Sequence, residues 1–436
     1  MRGADSRMSL RDDVVALDKQ HVWHPYTQMQ QWIERTRPLV IARAAGARLY
    51  DLDGRDYLDG NSSWYVATLG HNHPRVVRAL LEQTRTFCHV SLAGVTHEPA
   101  ARLAAELVAV APPGLTRVFY SDDGSTAVEV AAKLAVQYFG QNGRPRKRRL
   151  LALEGAYHGD TVGAASLGGV DVFRQAYGAL MFDVVRVPAP GPDWEAAFAA
   201  VEQALSRAGD EIAAVVVEPL VQAAGGMRIH AAPYLARLRE TCTRENVLLI
   251  ADEVFTGYGR TGRMWACDHA AVTPDLLCLA KGFTAGALPM AATLATERVF
   301  EGFLGGRERT FFHGHSFTGN PLGAAVAREV LAIYRDEDVL GQVARKAPRL
   351  RAAVEAVGDR LGVPSRALGM VAAADLEGGG YLGGLGWRVY EEGLSRGAYL
   401  RPLGDTVYLT PPLTIDDADL DRLCSIFVDS VLAATQ

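Results

Sequence analysis

Val247-Leu248-Leu249-Ile250-Ala251-Asp252 and Leu276-Leu277-Cys278-Leu279-Ala280-Lys281 are the stretches whose reading decides the fold. Each is a short apolar run without polar alternation, the pattern of a central strand in a parallel sheet covered on both faces. Each then delivers one charged residue where a glycine-containing loop begins, Glu253-Val254-Phe255-Thr256-Gly257 or Gly282-Phe283-Thr284-Ala285-Gly286. In open α/β sheets that carboxyl edge is where ligands bind. Taken alone, Asp252 and Lys281 read as readily as two ordinary charges at strand ends.

Further strand-like runs lie on either side, at 117–120, 149–153, 184–187, 213–217 and 291–295, with helix-like segments between them. This alternation predicts an α/β fold, a mainly parallel sheet sandwiched by helices. Val128, Ala131, Ala132, Ala135 and Phe139 recur at helical spacing over 126–139, and Glu129 and Lys133 form an i, i+4 pair. The two ends read differently. Short strands flank the turn at 51–55, and a long helical stretch after residue 326 leads to strands at 371–376 and 407–409 and a last helix. The expected organisation is a large domain at 61–325 and a smaller α/β domain built from 1–60 and 326–436.

The 436 residues, 49% hydrophobic and 22% charged, suit a globular protein with a large core. A net charge of −5 gives no reason to expect nucleic acid or an anionic membrane as partner. The basic cluster Arg144, Arg146, Lys147, Arg148 and Arg149 reads as a solvated loop between a helix and a strand. The five cysteines are scattered, with no Cys-x-x-Cys spacing, so neither a disulfide framework nor a cysteine metal site is expected. The first residues lack the apolar core of a signal peptide, and no apolar run is long enough for a membrane helix, so the expected location is the cytoplasm. Residues 1–7 carry no structural signal, and Met8 is an alternative start.

A carboxylate and an amine at one sheet edge suit pyridoxal phosphate: the amine condenses with its aldehyde, and the carboxylate keeps the pyridine nitrogen protonated. Tyr120-Ser121-Asp122-Asp123-Gly124-Ser125-Thr126 offers a helix start with free amides and hydroxyls, a phosphate site or a plain N-cap. Tyr157, in Gly155-Ala156-Tyr157-His158-Gly159-Asp160, could stack on a flat ring or be structural. The loop Phe312-His313-Gly314-His315-Ser316-Phe317-Thr318-Gly319-Asn320-Pro321 could hold a second side of the phosphate. Arg401 could grip a carboxylate or form a surface ion pair, and Trp64-Tyr65 and Trp23-His24-Pro25-Tyr26 could line a substrate channel or anchor loops. Glu218-Pro219 ends a strand without a decisive role. His71-x-His73 and His313-x-His315 lack a third ligand at recognised spacing, so no metal is expected.

In order along the chain, Gly124-Ser125, Tyr157-His158-Gly159, Glu218-Pro219, Asp252-Glu253-x-x-x-Gly257, Lys281-Gly282 and Ser316-x-x-x-Asn320-Pro321 resemble the class III aminotransferases of fold type I. The match covers nearly the whole chain. Within that family, His24-Pro25-Tyr26-Thr27, Ser62-Ser63-Trp64 and Leu400-Arg401-Pro402 are similar to members that aminate 8-amino-7-oxononanoate in biotin synthesis.

The resemblance implies that Lys281 carries pyridoxal phosphate and shuttles the proton, that Asp252 pairs with the pyridine nitrogen, and that Tyr157 stacks on the ring. It implies that Gly124 and Ser125 hold the phosphate, completed by His315 and Ser316 across the interface of a homodimer with shared active sites. Tyr26, Trp64 and Gly314 would then border the substrate, and Arg401 would take its carboxylate. The implied partners are small molecules, 8-amino-7-oxononanoate and an amine donor. S-Adenosylmethionine is the usual donor, but Tyr65 replaces a second tryptophan and His315-Ser316 replaces Pro-Thr. The 313–320 loop, Thr27-Gln28-Met29 and Arg401–Asp405 segments resemble the bacillar branch, some of which use lysine. The alternatives are an ω-amino acid or diamine transaminase with a keto-acid acceptor, a metal-dependent hydrolase built on the His-x-His pairs, and a non-catalytic relative.

Overall fold

A computed structural model describes residues 9–191, 193–377 and 380–436; the expectations for residues 1–7 and for Met8 lie outside them. Seven strands form the main sheet: β1 (Leu115–Ser121), β2 (Arg149–Leu153), β3 (Val184–Val187), β4 (Ile212–Val217), β5 (Leu248–Asp252), β6 (Leu276–Leu279) and β7 (Ala291–Thr296). Their order is β1-β7-β6-β5-β4-β2-β3. All neighbours from β3 through β6 run parallel, and β7 is antiparallel to both β6 and β1. Each of the seven runs read from the sequence is a strand; 149–153 and 184–187 coincide with it, and the others differ at one or both ends by at most two residues. Asp252 itself belongs to β5, because the parallel ladder continues until it faces Cys278.

The missing alternation in β5 has a direct cause. Leu248 and Ile250 pack against one cluster, with Val128, Ala131 and Ala135 of the helix Gly124–Gln141. Leu249 and Ala251 face another, with Phe198, Leu235 and Leu238. Burying such side chains contributes about 1.5–3 kcal/mol each. The helix begins two residues earlier than its apolar spacing suggests. Asp123 is its N-cap, accepting the Thr126 N–H at 2.9 Å, while the Thr126 hydroxyl accepts the Asp123 N–H at 3.0 Å.

The chain ends meet in two small sheets. Ile41–Ala45, Arg48–Asp51 and Asp56–Asp59 form an antiparallel unit to which Ala398–Tyr399 adds in parallel. Ser365–Leu368, Val371–Asp375 and Thr406–Leu409 form the second. Helices Pro321–Asp336, Val339–Leu361 and Asp417–Thr435 accompany them. Arg260, 1% exposed, ties these parts to the main sheet. Its guanidinium donates to Met370 O at 3.2 Å, Pro411 O at 2.8 Å and Ser62 Oγ at 3.4 Å.

One sequence reading needs correction. The 144–149 cluster is a loop, but Lys147 is buried, not solvated. Its ammonium donates to Gly209 O at 2.6 Å and Ile212 O at 3.1 Å, which satisfies the buried charge, and burial pulls its pKa down. Among the described residues, no helix is long and apolar enough to cross a membrane.

Arg260→Met keeps most of the side-chain volume but strips the buried Met370 and Pro411 carbonyls of a donor. At about 1–3 kcal/mol per unsatisfied group, the denaturation midpoint in urea should fall by the equivalent of at least about 2 kcal/mol.

Candidate active site

A cavity of about 440 Å³ opens at the carboxyl edge of β4, β5 and β6. Asp252, Lys281, Tyr157, Gly124, Ser125, Tyr26 and Trp64 all line it. The ladder places them there. Asp252 is opposite Cys278, so Lys281 emerges from the neighbouring strand just past the same edge. Lys281 takes a left-handed backbone, φ +47°, at the start of a tight turn. Burial pulls its ammonium below the ordinary lysine value, against the opposing pull of Asp252, Glu218 and Asp160. That favours the neutral, nucleophilic amine.

Asp252 is 4% exposed and held from two sides. Oδ1 accepts the Val254 N–H at 3.1 Å, and Oδ2 lies 2.7 Å from His158 Nδ1. Burial pulls the His158 imidazole down, but the hydrogen bond and charge of Asp252 outweigh it and leave the ring above its ordinary value. Below them sits Glu218, whose two oxygens accept the N–H groups of Tyr157 and Ala223 at 3.0 Å each. Burial, partly offset by His158, pushes its carboxyl up to about 7.

The helix at Gly124 points its N-terminal turn into the cavity, where the first amides have no intrahelical acceptors. Small residues bring three segments together there. A Cβ on Gly124 would stand 2.6 Å from Val254 Cγ1, and one on Gly159, at φ +123°, would overlap Ser125 Oγ. A helix N-terminus, a hydroxyl, a buried amine and a carboxylate with its own histidine are the donor set that pyridoxal phosphate requires, so the residues present fit that group.

At the mouth, Asp160 joins two phenols: Tyr26 donates to Oδ2 at 2.6 Å and Tyr157 at 2.9 Å, with the two hydroxyls 3.1 Å apart. Burial first and Asp160 second raise the Tyr26 pKa. Trp64 reaches the cavity through an unusual turn. Ser62, Ser63, Trp64 and Tyr65 all have positive φ, between 45° and 75°. Such a run of non-glycine residues costs roughly 1–2 kcal/mol per residue. Buried bonds offset it: Ser62 Oγ to Thr410 O at 2.5 Å, Ser63 Oγ to Asp59 Oδ2 at 2.9 Å, and Tyr65 OH to Tyr408 OH at 2.9 Å.

Other expected residues lie outside the cavity wall. Arg401 sits behind Trp64, its guanidinium carbon 4.8 Å from the indole centroid. Gly314 and Ser316 are exposed within a single chain, and His315 Nδ1 lies 2.9 Å from Asp122 Oδ2 without hydrogen-bond alignment. The first histidine pair diverges, His71 facing Asp59 at 2.9 Å and His73 facing Glu337 at 3.3 Å, whereas His313 and His315 meet with ring centroids 5.1 Å apart. Among the described residues, no group of three His, Cys, Asp or Glu is placed to hold a metal ion.

Five cavity residues had no role assigned from the sequence. His158 and Asp160 stood inside the Tyr157 motif, and Glu218 was noted without a role. Phe173 and Tyr381, which meet at 4.8 Å between ring centroids and also line the cavity, gave no sequence signal.

The raised carboxyl of Glu218 binds its proton more tightly folded than unfolded. Its contribution to stability is therefore complete below about 4.5 and lost as pH rises through about 7. The stability difference between the wild type and Glu218→Gln, read from urea midpoints of cofactor-free protein, should fall from pH 5 to pH 8 by up to about 3 kcal/mol.

Comparison with known proteins agrees with this geometry. The family described as Aminotransferase class-III matches residues 30–431. A relative from Nitratidesulfovibrio vulgaris, named adenosylmethionine-8-amino-7-oxononanoate aminotransferase, is 43% identical over 97% of this chain and 82% of its own. The crystal structure of the enzyme of that name from Methanocaldococcus jannaschii is 33% identical, with TM-score 0.94 over 98% of this chain and 100% of that one. An amine transaminase from an uncultivated Pseudomonas species, solved with pyridoxal phosphate bound, is also 33% identical, with TM-score 0.89 over 95% and 98%. The chain belongs to the class III aminotransferase family.

Proposed function

We propose that this chain is a pyridoxal-phosphate aminotransferase that converts 8-amino-7-oxononanoate to 7,8-diaminononanoate in biotin biosynthesis, with S-adenosylmethionine as amino donor. The observation that carries the reaction class is the buried Lys281 amine, lowered in pKa, sharing one cavity with the His158-backed carboxylate of Asp252. The substrate rests on the near full-length relatives, on Trp64 at the mouth and on Arg401 behind it.

When bound, pyridoxal phosphate supplies an electron sink that acidifies the C–H bond beside the substrate nitrogen. The chain's own residues do the rest. Gly124 and Ser125 bind the phosphate with backbone amides and a hydroxyl. Asp252 holds the proton on the pyridine nitrogen, and His158 orients Asp252. Tyr157 packs on the ring. With the cofactor bound, Lys281 Nζ would be the base that takes the proton from the substrate carbon and gives it back later in the transfer.

At the mouth, Tyr26 and Trp64 border the substrate, joined by the Gly314 loop of a second copy, Asp160 offers an acceptor for the donor's ammonium, and Arg401, behind Trp64, takes the carboxylate of 8-amino-7-oxononanoate. His315 and Ser316 complete the phosphate site of a second copy in a homodimer. The exposed Phe312 and Phe317 beside them, at 83% and 57%, support an interface there. The cytoplasm is the proposed location. Lysine is the second reading for the donor, since Tyr65 fills the position after Trp64 and its hydroxyl is committed to Tyr408.

Single-turnover mixing of the yellow holoenzyme with S-adenosylmethionine or with lysine should bleach the visible band with the first. Bleaching by lysine alone would exchange the donors, and bleaching by neither would remove the narrow assignment. Lys281→Ala should lower the turnover rate by at least about 10²- to 10⁴-fold, the range for a lost proton-transfer group. Arg401→Ala should raise KM for 8-amino-7-oxononanoate by about 10- to 100-fold, as expected for a lost charged hydrogen-bond pair.

A further inference from the structure

Arg401 is an unusual arginine. Among the described residues no carboxylate comes within 4.0 Å of its guanidinium, and the guanidinium makes no hydrogen bond to protein. Its surroundings are aromatic instead. The guanidinium carbon lies 4.8 Å from the Trp64 ring centroid and 5.7 Å from that of Trp387. The phenols of Tyr381, Tyr390 and Tyr399 also feel its charge.

Trp387 has no comparable reason to be where it is. It is 43% exposed, on the first turn of the helix Leu385–Arg396, and it does not line the cavity. Its position is nevertheless closely determined. Asp405 Oδ1 accepts the Leu385 N–H at 2.9 Å and the Gly386 N–H at 3.2 Å, so the loop that carries Arg401 also caps this helix. A Cβ on Gly386 would overlap Gly404 O, so helix and loop touch backbone to backbone. The Trp387 ring then meets Tyr390 edge to face at 5.5 Å, and Tyr390 meets Tyr399 at 5.7 Å. On the other side, the Arg401 N–H donates to Asn61 Oδ1 at 2.6 Å, anchoring the arginine to the segment that bears Trp64. Indoles attract a guanidinium through their faces while using none of its N–H groups, so the planar fork stays available to a carboxylate.

We propose that Trp387 is a positioning residue for carboxylate recognition: with Trp64 it flanks the Arg401 guanidinium and keeps the N–H fork free for the acceptor's carboxylate. This rests on the reading of Arg401 as the residue that takes that carboxylate.

The test compares 8-amino-7-oxononanoate with its methyl ester as acceptors for the holoenzymes of wild type, Trp387→Ala, Trp387→Phe, Arg401→Ala and the Trp387→Ala/Arg401→Ala double variant. Retention of the cofactor's visible band reports folding. Trp387→Ala should lower kcat/KM for the acid about three- to fivefold more than for the ester, mainly through KM, the scale of one cation–π contact. Trp387→Phe should recover most of the loss, and Trp387→Ala should add nothing once Arg401 is gone. Equal losses for acid and ester, or an undiminished effect of Trp387→Ala in the Arg401→Ala background, overturn the proposal while leaving the role of Arg401 standing. An Arg401→Ala change that lowers kcat/KM for acid and ester by the same factor, or a wild type that turns over neither, overturns the reading of Arg401 and the proposal with it.

Discussion

The parallel ladder between Leu248–Asp252 and Leu276–Leu279 is the constraint on which the rest depends. Its register sets Asp252 opposite Cys278 and so brings Lys281 to the same edge from the adjacent strand. A one-residue slip would turn every side chain of a strand to the other face. Both faces of these strands are packed, by Val128 and Ala131 on one side and Leu235 and Leu238 on the other, so a slip is costly in either direction. The site inherits its precision from a core that has no chemical function.

Around that edge, burial and charge act against each other in a graded way. Burial pulls Lys281 down, pushes Glu218 up to about 7, and would lower His158 were it not for Asp252. The outcome is an amine inclined to be neutral in sight of carboxylates, with His158 aligned on Asp252 at 2.7 Å. A low-dielectric pocket makes each of these interactions stronger than it would be in water. The mouth is built differently. Four successive left-handed residues at Ser62–Tyr65 present Trp64, and two phenols share the Asp160 carboxylate. Strain at the first is sustained by buried hydrogen bonds that reach into distant segments of the chain.

What could be read from the residue order follows from what is local. The seven strands were legible because double-sided burial leaves unbroken apolar runs, and the helix after Asp123 because its cap and its apolar spacing coincide. The glycines of Gly124-Ser125 and Tyr157-His158-Gly159 marked loops at the strand ends, and those loops do line the cavity. The pairing of His158 with Asp252 joins residues 94 apart, and nothing in either neighbourhood announces it. The left-handed turn at Ser62–Tyr65 contains no glycine to betray it. Lys147 looked solvated among arginines, yet it is drawn inside by the carbonyls of Gly209 and Ile212 and, at 3.5 Å, of Glu245. Phe173 and Tyr381 are single aromatic residues whose meeting depends wholly on the tertiary fold.

The central claim is that the amine at the edge of β6 is the one that holds the cofactor. Borohydride reduction of the yellow holoenzyme, followed by peptide mass spectrometry, tests it directly. The account predicts a stoichiometric pyridoxyl phosphate adduct on the peptide containing Lys281, with the visible band lost in step. An adduct on another lysine, such as the buried Lys147 or Lys346, or no adduct on a catalytically competent enzyme, would contradict it.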